Sequence, residues 1–475
     1  MLRFIALLLF LSLPGFSRPQ NVLFIISDDL NSQLGSYGAG QTVTPNLDRF
    51  ADSAIQFDNA YCQYPVCNPS RNSFLSGLRP NHVGLPPQWE SLRSLQPEVT
   101  TLPQLYRENG YYTAAVGKVF HISYWDPVTP TESTWNLCDP LSWDFRMNAL
   151  PTVAKPGDKP PFARLGVKMR WPGHGGAIDY GMIAEGSDSD QEDGQATLAA
   201  IEIMDRVKDR PFFLAVGYRR PHAPFVAPKA YFEPFPLEEM RLPNPGDRSD
   251  VTPLAFPISP PNYGEPEAMK QMKRAYLASV SSLDAEVGRL LEALETRGLS
   301  ENTIVVFVSD HGFHLGEHGN WHKFSLFEES ARAPLFIRAP GVSIGGSRTQ
   351  GIVELIDLFP TLAQLSGLPE PQQSLDGKSL VPLLEKPDRA DWKGAYAITQ
   401  VRRNRSNAPP VMGYSIRTDD FRYNEWWAET QPPRMLAAEL YDLNQDPEEE
   451  FNRVEFNAYQ KIQAELSDKL KLYLD

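Results

Sequence analysis

Residues 21–29 read NVLFIISDD. Val22, Leu23, Phe24, Ile25 and Ile26 follow one another with no polar alternation, so the run predicts a strand covered on both faces, as in a parallel sheet. It stops at Ser27, Asp28 and Asp29. A second run of this kind, TIVVFV at 303–308, stops at Ser309, Asp310, His311 and Gly312. FFLAV at 212–216 and LFI at 335–337 are shorter buried runs. Between them, residues 267–296 place Tyr276, Val280, Leu283, Val287, Leu290 and Leu294 at alternating spacings of four and three, an amphipathic helix closed by Gly298. Residues 45–57 read as a further helix, with Thr44 as N-cap and Pro45 in its first turn. Strands alternating with helices define an α/β domain, whose ligands gather at the carboxyl ends of its strands. The acidic ends Asp28-Asp29 and Asp310-His311 are therefore expected to meet, although they lie far apart in the chain.

The composition of the chain is that of an ordinary folded globular protein. Its 475 residues include 41% hydrophobic, 11% aromatic and 22% charged residues, which excludes a disordered, collagenous or disulfide-stapled protein. Proline occurs 43 times, nearly twice the usual share of about 5%, and predicts long, stiff surface loops. A net charge of −14 argues against a general nucleic-acid binder, which needs a basic excess. Met1, Leu2 and Arg3 precede an apolar run over 4–13, and Pro14, Gly15 and Ser17 supply a breaker and small residues. This is the layout of a signal peptide over 1–17, too short to span a bilayer, and it predicts a secreted or periplasmic protein without integral membrane contact.

From about 366 to 389 the sequence is loop-like, and beyond it the pattern changes. Residues 395–399, 413–417 and 422–427 read as short antiparallel strands, and 457–474 as an amphipathic helix. The expected division is a main domain over 18–370 and a smaller C-terminal subdomain over 371–475. Residues 140–186 show no clear period. Within them, 155–170 carries Lys155, Lys159, Arg164, Lys168 and Arg170 against the single acid Asp158, a solvated loop or a rim over an anionic ligand.

The most specific segment is Cys67-Asn68-Pro69-Ser70-Arg71, followed by Leu75-Ser76-Gly77. It resembles the C-x-P-S-R-x-x-x-L-[ST]-G signature of the type I, formylglycine-dependent sulfatases. The family pattern commonly continues with Arg after the glycine, whereas Leu78 stands here and Arg79 follows. NVLFIISDD, TPNLDRFA, VGKVFH, PFFLAVGYRRPHAPF, SDHGFHLGEHGNWHKFS and ELYDLNQDPEE resemble, in order, blocks of the iduronate-2-sulfatase-like branch. The resemblance implies an alkaline-phosphatase-like fold, with a mixed, mostly parallel sheet flanked by helices and a smaller C-terminal antiparallel sheet.

Read as residues, Asp28, Asp29 and Asp310 offer hard carboxylate oxygens, which suit Ca²⁺ or Mg²⁺. The resemblance implies that they bind a divalent cation, usually calcium, with His311 and an oxygen of the formylglycine (3-oxoalanine) that a maturation enzyme makes from Cys67. It further implies that Lys118 and Lys323 hold sulfate oxygens, that His121 contacts the formylglycine hydrate, and that Arg71 steadies it. His222 would protonate the leaving oxygen and Asp310 would act as base. Cys62 and Cys138, the two remaining cysteines, would then be available to pair.

Other readings remain beside this one. His314, His318 and His322 recur at every fourth position and would suit zinc on a helical face, but Gly312, Gly316 and Gly319 interrupt a helix and the HExxH pattern is absent. A phosphodiesterase or phosphonate monoester hydrolase of the same superfamily, and an unmatured glycan-binding protein, are the alternatives to a sulfatase acting on a sulfated carbohydrate. Arg402, Arg403 and Arg405, with the 155–170 cluster, are candidates for reading neighbouring anionic groups of a glycan. Trp426 and Trp427 suit either a sugar-stacking face or the core of the C-terminal sheet.

Overall fold

The computed structural model describes residues 20–84, 90–121, 137–147, 181–257 and 263–474, and the backbone of the short strands Phe162–Arg164, Lys168–Arg170 and Ala177–Asp179. The expected signal peptide lies outside the described residues, as do Lys155, Lys159 and the side chains of the rest of the basic stretch. Eight strands form the main sheet: β1 (Asn21–Asp28), β2 (Ile55–Tyr61), β3 (Tyr112–Gly117), β4 (Phe145–Met147), β5 (Phe212–Pro221), β6 (Thr303–Ser309), β7 (Leu335–Arg338) and β8 (Ser347–Glu354). Their order is β8-β2-β7-β6-β1-β5-β3-β4. β1 runs parallel to β5 and β6, β3 to β4 and β5, and β2 to β8, while β7 is antiparallel to both β2 and β6. All but β7 therefore point the same way, and their carboxyl ends open onto one edge.

The unbroken apolar run of β1 has the expected cause. Leu23 and Ile25 pack on one face of the sheet and Val22, Phe24 and Ile26 on the other, all fully buried. Helix α1 (Cys67–Ser76) supplies Phe74 and Leu75 to the second face. Helices α2 (Glu192–Val207) and α3 (Pro266–Thr296) cover the first through Ala200, Met204, Val280, Leu283 and Leu290. Removing a large side chain such as Phe24 from this two-sided packing costs about 3–5 kcal/mol.

The helix expected over 45–57 is shorter. It occupies Pro45–Ala51, and the chain re-enters the sheet as β2, where Ile55 and Phe57 pair with β7 and β8. Tertiary pairing wins over the helical start signal because both faces of β2 are covered. In the C-terminal region β9 (Ala397–Arg403), β10 (Val411–Arg417), β11 (Phe421–Ala428) and β12 (Arg434–Asp442) form an antiparallel meander, one strand more than the sequence suggested. Helix α4 (Gln460–Leu474) packs Leu466 and Leu470 on Ile398, Ile416, Tyr423 and Leu440. After position 370 the chain first stays with the large sheet, because Leu380, Leu383 and Leu384 share the core of Phe24. Cys62 and Cys138 are buried free thiols, so the pairing envisaged for them is not made. Among the described residues no helix is long and apolar enough to cross a membrane.

Candidate active site

Four neighbouring parallel strands deliver their last residues to one place. β1 ends at Asp28, and Asp29 turns the chain with φ 66°. β6 ends at Ser309, and the next backbone N–H, that of Asp310, donates to the Ser27 carbonyl at 3.3 Å. The Asp29 N–H in turn donates to Asp310 Oδ1 at 3.2 Å. β3 leads into Lys118 and β5 into His222. From β2 the chain continues to α1, whose first residue is Cys67 and whose ten residues are all buried.

The close approach of β3 and β5 depends on two glycines. A Cβ on Gly217 would lie 1.9 Å from the Lys118 carbonyl oxygen, and one on Gly117, which has φ 72°, would lie 2.2 Å from that of Gly217. Bare backbone here lets Lys118 turn inward against Asp28.

Three cations interleave with three carboxylates. Lys118 Nζ donates to Asp28 Oδ2 and Lys323 Nζ to Asp29 Oδ1, and Lys323 Nζ also lies 2.9 Å from Cys67 Sγ. Arg71 Nε donates to Asp310 Oδ2 at 2.7 Å, and its outer nitrogens reach the carbonyls of Ser27, Lys118 and Val119. Burial alone would raise the Asp28 carboxyl, but Lys118, His222, Arg71 and Lys323 outweigh it and hold the group well below the usual carboxylate range. Asp29 moves the other way. Burial raises it and the Asp28 and Asp310 charges add to that, against the pull of Lys323 and His311. The Cys67 thiol is pushed up to about 12, first by burial and then by Asp28, so as an unmodified residue it is a protonated thiol at neutral pH.

The histidines are neutral for the same reason. Burial lowers His121, His222 and His311, most strongly the first two. His311 Nδ1 donates to the Gly312 carbonyl at 2.8 Å, which turns the Nε2 lone pair inward, 3.4 Å from Asp29 Oδ1 and 3.6 Å from Asp310 Oδ1. That buried Nε2 has no hydrogen-bond partner among the described residues. Ligand atoms of Asp28, Asp29, Cys67 and His311 lie within 4.8 Å of one another. An orphaned imidazole nitrogen among crowded carboxylates fits a divalent cation, and the carboxylate oxygens fit a hard one.

Asp28, Asp29, Cys67, Arg71, Lys118, His222, Asp310, His311 and Lys323 are thus brought together by direct contacts, and His121 lies buried within the field of Lys118 and Asp28. Arg402 and Arg403 are held elsewhere. Arg402 pairs with Glu429, and Arg403 is buried, donating to the carbonyls of Leu254 and Ala255 at 3.0 and 3.1 Å. Trp426 is fully buried and donates to Glu439 at 2.9 Å, a core residue of the small sheet. Two supports were not legible in the sequence. The Tyr276 hydroxyl donates to the Asp29 carbonyl at 2.8 Å, although its helical spacing marked it only as core. Asp193 accepts the N–H groups of Arg219 and Arg220 at 2.8 and 2.9 Å, fixing the turn into His222, and no motif surrounds it.

Solved structures with this fold include the phosphonate monoester hydrolase of Agrobacterium radiobacter, at TM-score 0.77 and 23% identity, covering 95% of this chain and 94% of that one. Another is a protein in complex with its substrate D-glucosamine-2-N,6-O-disulfate, at TM-score 0.70 and 24% identity, covering 96% and 97%. They show that the chain has the alkaline-phosphatase-like fold. The sequence matches the sulfatase family over residues 20–368, and the N-sulphoglucosamine sulphohydrolase C-terminal family over 316–474. It is 34% identical to iduronate 2-sulfatase of Mus musculus and 33% identical to that of Homo sapiens, each covering 91% of this chain and 90% of the relative. The chain belongs to the sulfatase family, in the iduronate 2-sulfatase branch, and is a sulfuric ester hydrolase.

Proposed function

We propose that the enzyme removes sulfate from a sulfated carbohydrate, using a formylglycine made from Cys67 and a divalent cation, calcium or magnesium, held by Asp28, Asp29, Asp310 and His311. The observation that carries this reading is the position of Cys67 Sγ, buried at the start of α1, 2.9 Å from Lys323 Nζ and grouped with the ligand atoms of Asp28, Asp29 and His311. A protonated thiol is a poor nucleophile there, whereas a hydrated aldehyde supplies one hydroxyl to attack sulfur and a second whose proton loss expels sulfate. The cation, when bound, lowers the pKa of an attached hydroxyl and offsets carboxylate charge.

The chain's own groups then have distinct tasks. Lys118 and Lys323 are buried ammonium groups that stabilise sulfate oxygens, and low local dielectric strengthens that attraction. Arg71 spans Asp310 and three backbone carbonyls, and so holds β1, β6 and the turn after β3 in register around position 67. The His222 side chain is 20% exposed, within reach of a leaving alcohol, and its Nδ1 is tied to the Ala223 carbonyl at 2.6 Å. Its Nε2 must first take up a proton, which the nearby negative charge of a bound sulfate ester favours. His121 lies beside Lys118 and would contact the hydrate.

Support for a sugar substrate comes from the iduronate 2-sulfatases, with a choline-sulfatase from Rhizobium meliloti, 29% identical, as the contrasting relative. A panel of defined sulfated oligosaccharides, choline sulfate and an aryl phosphonate monoester tests the reading. We expect kcat/KM to be highest on one of the oligosaccharides; preference for choline sulfate or the phosphonate overturns the substrate assignment. Export through the signal peptide over 1–17 and modification by a formylglycine-generating enzyme belong to the same proposal. Arg402 is retained as a candidate rim residue because its guanidinium is partly exposed, and Arg403 as one that would act through the strand it anchors.

A further inference from the structure

The histidine cluster at 311–322 serves more than one place. His311 faces the catalytic centre, and His322 Nε2 meets the Tyr263 hydroxyl at 2.9 Å. We propose that His314 Nδ1, His318 Nε2 and Glu329 Oε2 form a second metal site, for a zinc-like divalent transition ion, distinct from the catalytic centre. His314 Nδ1 lies 3.8 Å and His318 Nε2 3.6 Å from Glu329 Oε2. Ligand atoms at the corners of a tetrahedron with zinc-type bonds stand about 3.4 Å apart, close to both separations from Glu329, and the His314 and His318 rings meet edge to face with centroids 6.0 Å apart.

Each ligand is aimed by its surroundings. The His314 side chain is 0% exposed, and its Nε2 meets Ser325 Oγ at 2.6 Å. With the proton on Nε2, the Nδ1 lone pair faces Glu329, and it has no hydrogen-bond partner among the described residues. Glu329 Oε2 is likewise buried, with the His318 imidazole as its ion-pair partner, a contact the ion would replace. His318 takes a left-handed backbone conformation, φ 54°, and its ring stacks on Phe327 at 4.0 Å between centroids. Glu449 is grouped with His318 and Glu329 within 4.8 Å, but Arg422 and the Glu328 N–H engage its oxygens, so it adds charge rather than a bond. A cleft of about 480 Å³, lined by Glu317, Glu328, Glu329 and Glu448 as well as Arg332 and Arg417, opens beside Glu329 and offers a cation a way in.

Two imidazoles and one carboxylate select a borderline-soft ion over calcium, which takes oxygen ligands. Gly316 and Gly319, with φ 118° and 61°, prevent a helix from carrying these histidines on one face. The fold brings two of the histidines together through a turn instead, and recruits the third ligand from Glu329. The ion would clamp the loop whose two ends carry His311 and Lys323, and the site does not depend on which ester is hydrolysed.

The full-length protein, kept in excess Ca²⁺ to satisfy the oxygen-rich catalytic centre, is titrated with Co²⁺ and followed by elemental analysis and visible absorption. One Co²⁺ per chain with the intense bands of a tetrahedral ion is expected in the wild type, in His322→Gln and in Asp29→Asn, and loss of the bands in His314→Gln and His318→Gln. Glu329→Gln supplies a third variant should either histidine variant fail to fold. A wild type that binds no Co²⁺ at low micromolar concentration overturns the proposal, as do bands that survive both histidine substitutions or vanish in Asp29→Asn.

Discussion

Lys323 touches both the Cys67 sulfur and the Asp29 carboxylate, so one ammonium group contacts the proposed nucleophile position and a proposed cation ligand together. Lys323→Ala should lower kcat/KM by about 10²- to 10³-fold, the usual cost of one charge-stabilising donor, and should also lower the melting temperature, because it leaves the buried Asp29 carboxylate without its ammonium partner. Steady-state kinetics with a melting curve checks both. Cys67→Ala should remove turnover and leave the far-UV circular dichroism unchanged, because alanine fits the start of α1; residual full activity would contradict it. At this scale the sequence was informative wherever a residue type and its position in a motif determined the chemistry. Asp28, Asp29, Cys67 and Lys118 could be named because each lies in a recognisable block beside a strand end. Asp193 and Tyr276 could not, since each acts on a neighbour's backbone, and a backbone partner leaves no mark in the sequence.

Helix α2 fixes the segment that leads into His222 through its first turn. Burial, with Glu192 adding, raises the Asp193 carboxyl to about 6 although it accepts two N–H groups from the segment before His222. Between the unfolded carboxyl's pKa near 3.9 and the folded value, the native state binds one proton more than the unfolded state, so stability from this group falls as pH rises through that window. The shift corresponds to about 2–3 kcal/mol. Melting temperatures of the wild type should therefore lose ground to those of Asp193→Asn as pH is raised from about 4 to about 6, and the gap should hold steady above. A gap independent of pH would contradict this. Gly217→Val tests the β3–β5 junction. Its side chain would enter the space of the Lys118 carbonyl, and we expect a destabilisation of about 1–3 kcal/mol with loss of activity. β1 and β6 were legible because both faces are apolar. β2, β3 and β8 were not, because Gln56, Asp58 and Asn59 in β2, Thr113 in β3, and Arg348, Thr349 and Gln350 in β8 break up their apolar residues, and pairing alone defines them.

The two sheets are locked by a buried ionic network. Arg422 of β11 is fully buried between Glu328 and Glu449, and the Tyr61 hydroxyl at the end of β2 donates to Glu328 at 2.8 Å. Arg422→Ala would leave the buried Glu449 without its cation and weaken the pairing of Glu328, and should cost about 3–5 kcal/mol, read as a lower denaturation midpoint; an unchanged midpoint would show that the small sheet is not anchored there. The net charge of −14 concealed this organisation, since Lys118, Lys323 and Arg71 gather at one place within an acidic chain, and it is there that the proposed function seats the sulfate ester. The central claim concerns a single side chain in that pocket. Mass spectrometry of the peptide containing residue 67, taken from enzyme of measured specific activity, tests it most directly. Activity should rise in proportion to the fraction of chains carrying an aldehyde at position 67, and a fully active preparation whose Cys67 remains an intact thiol would contradict it.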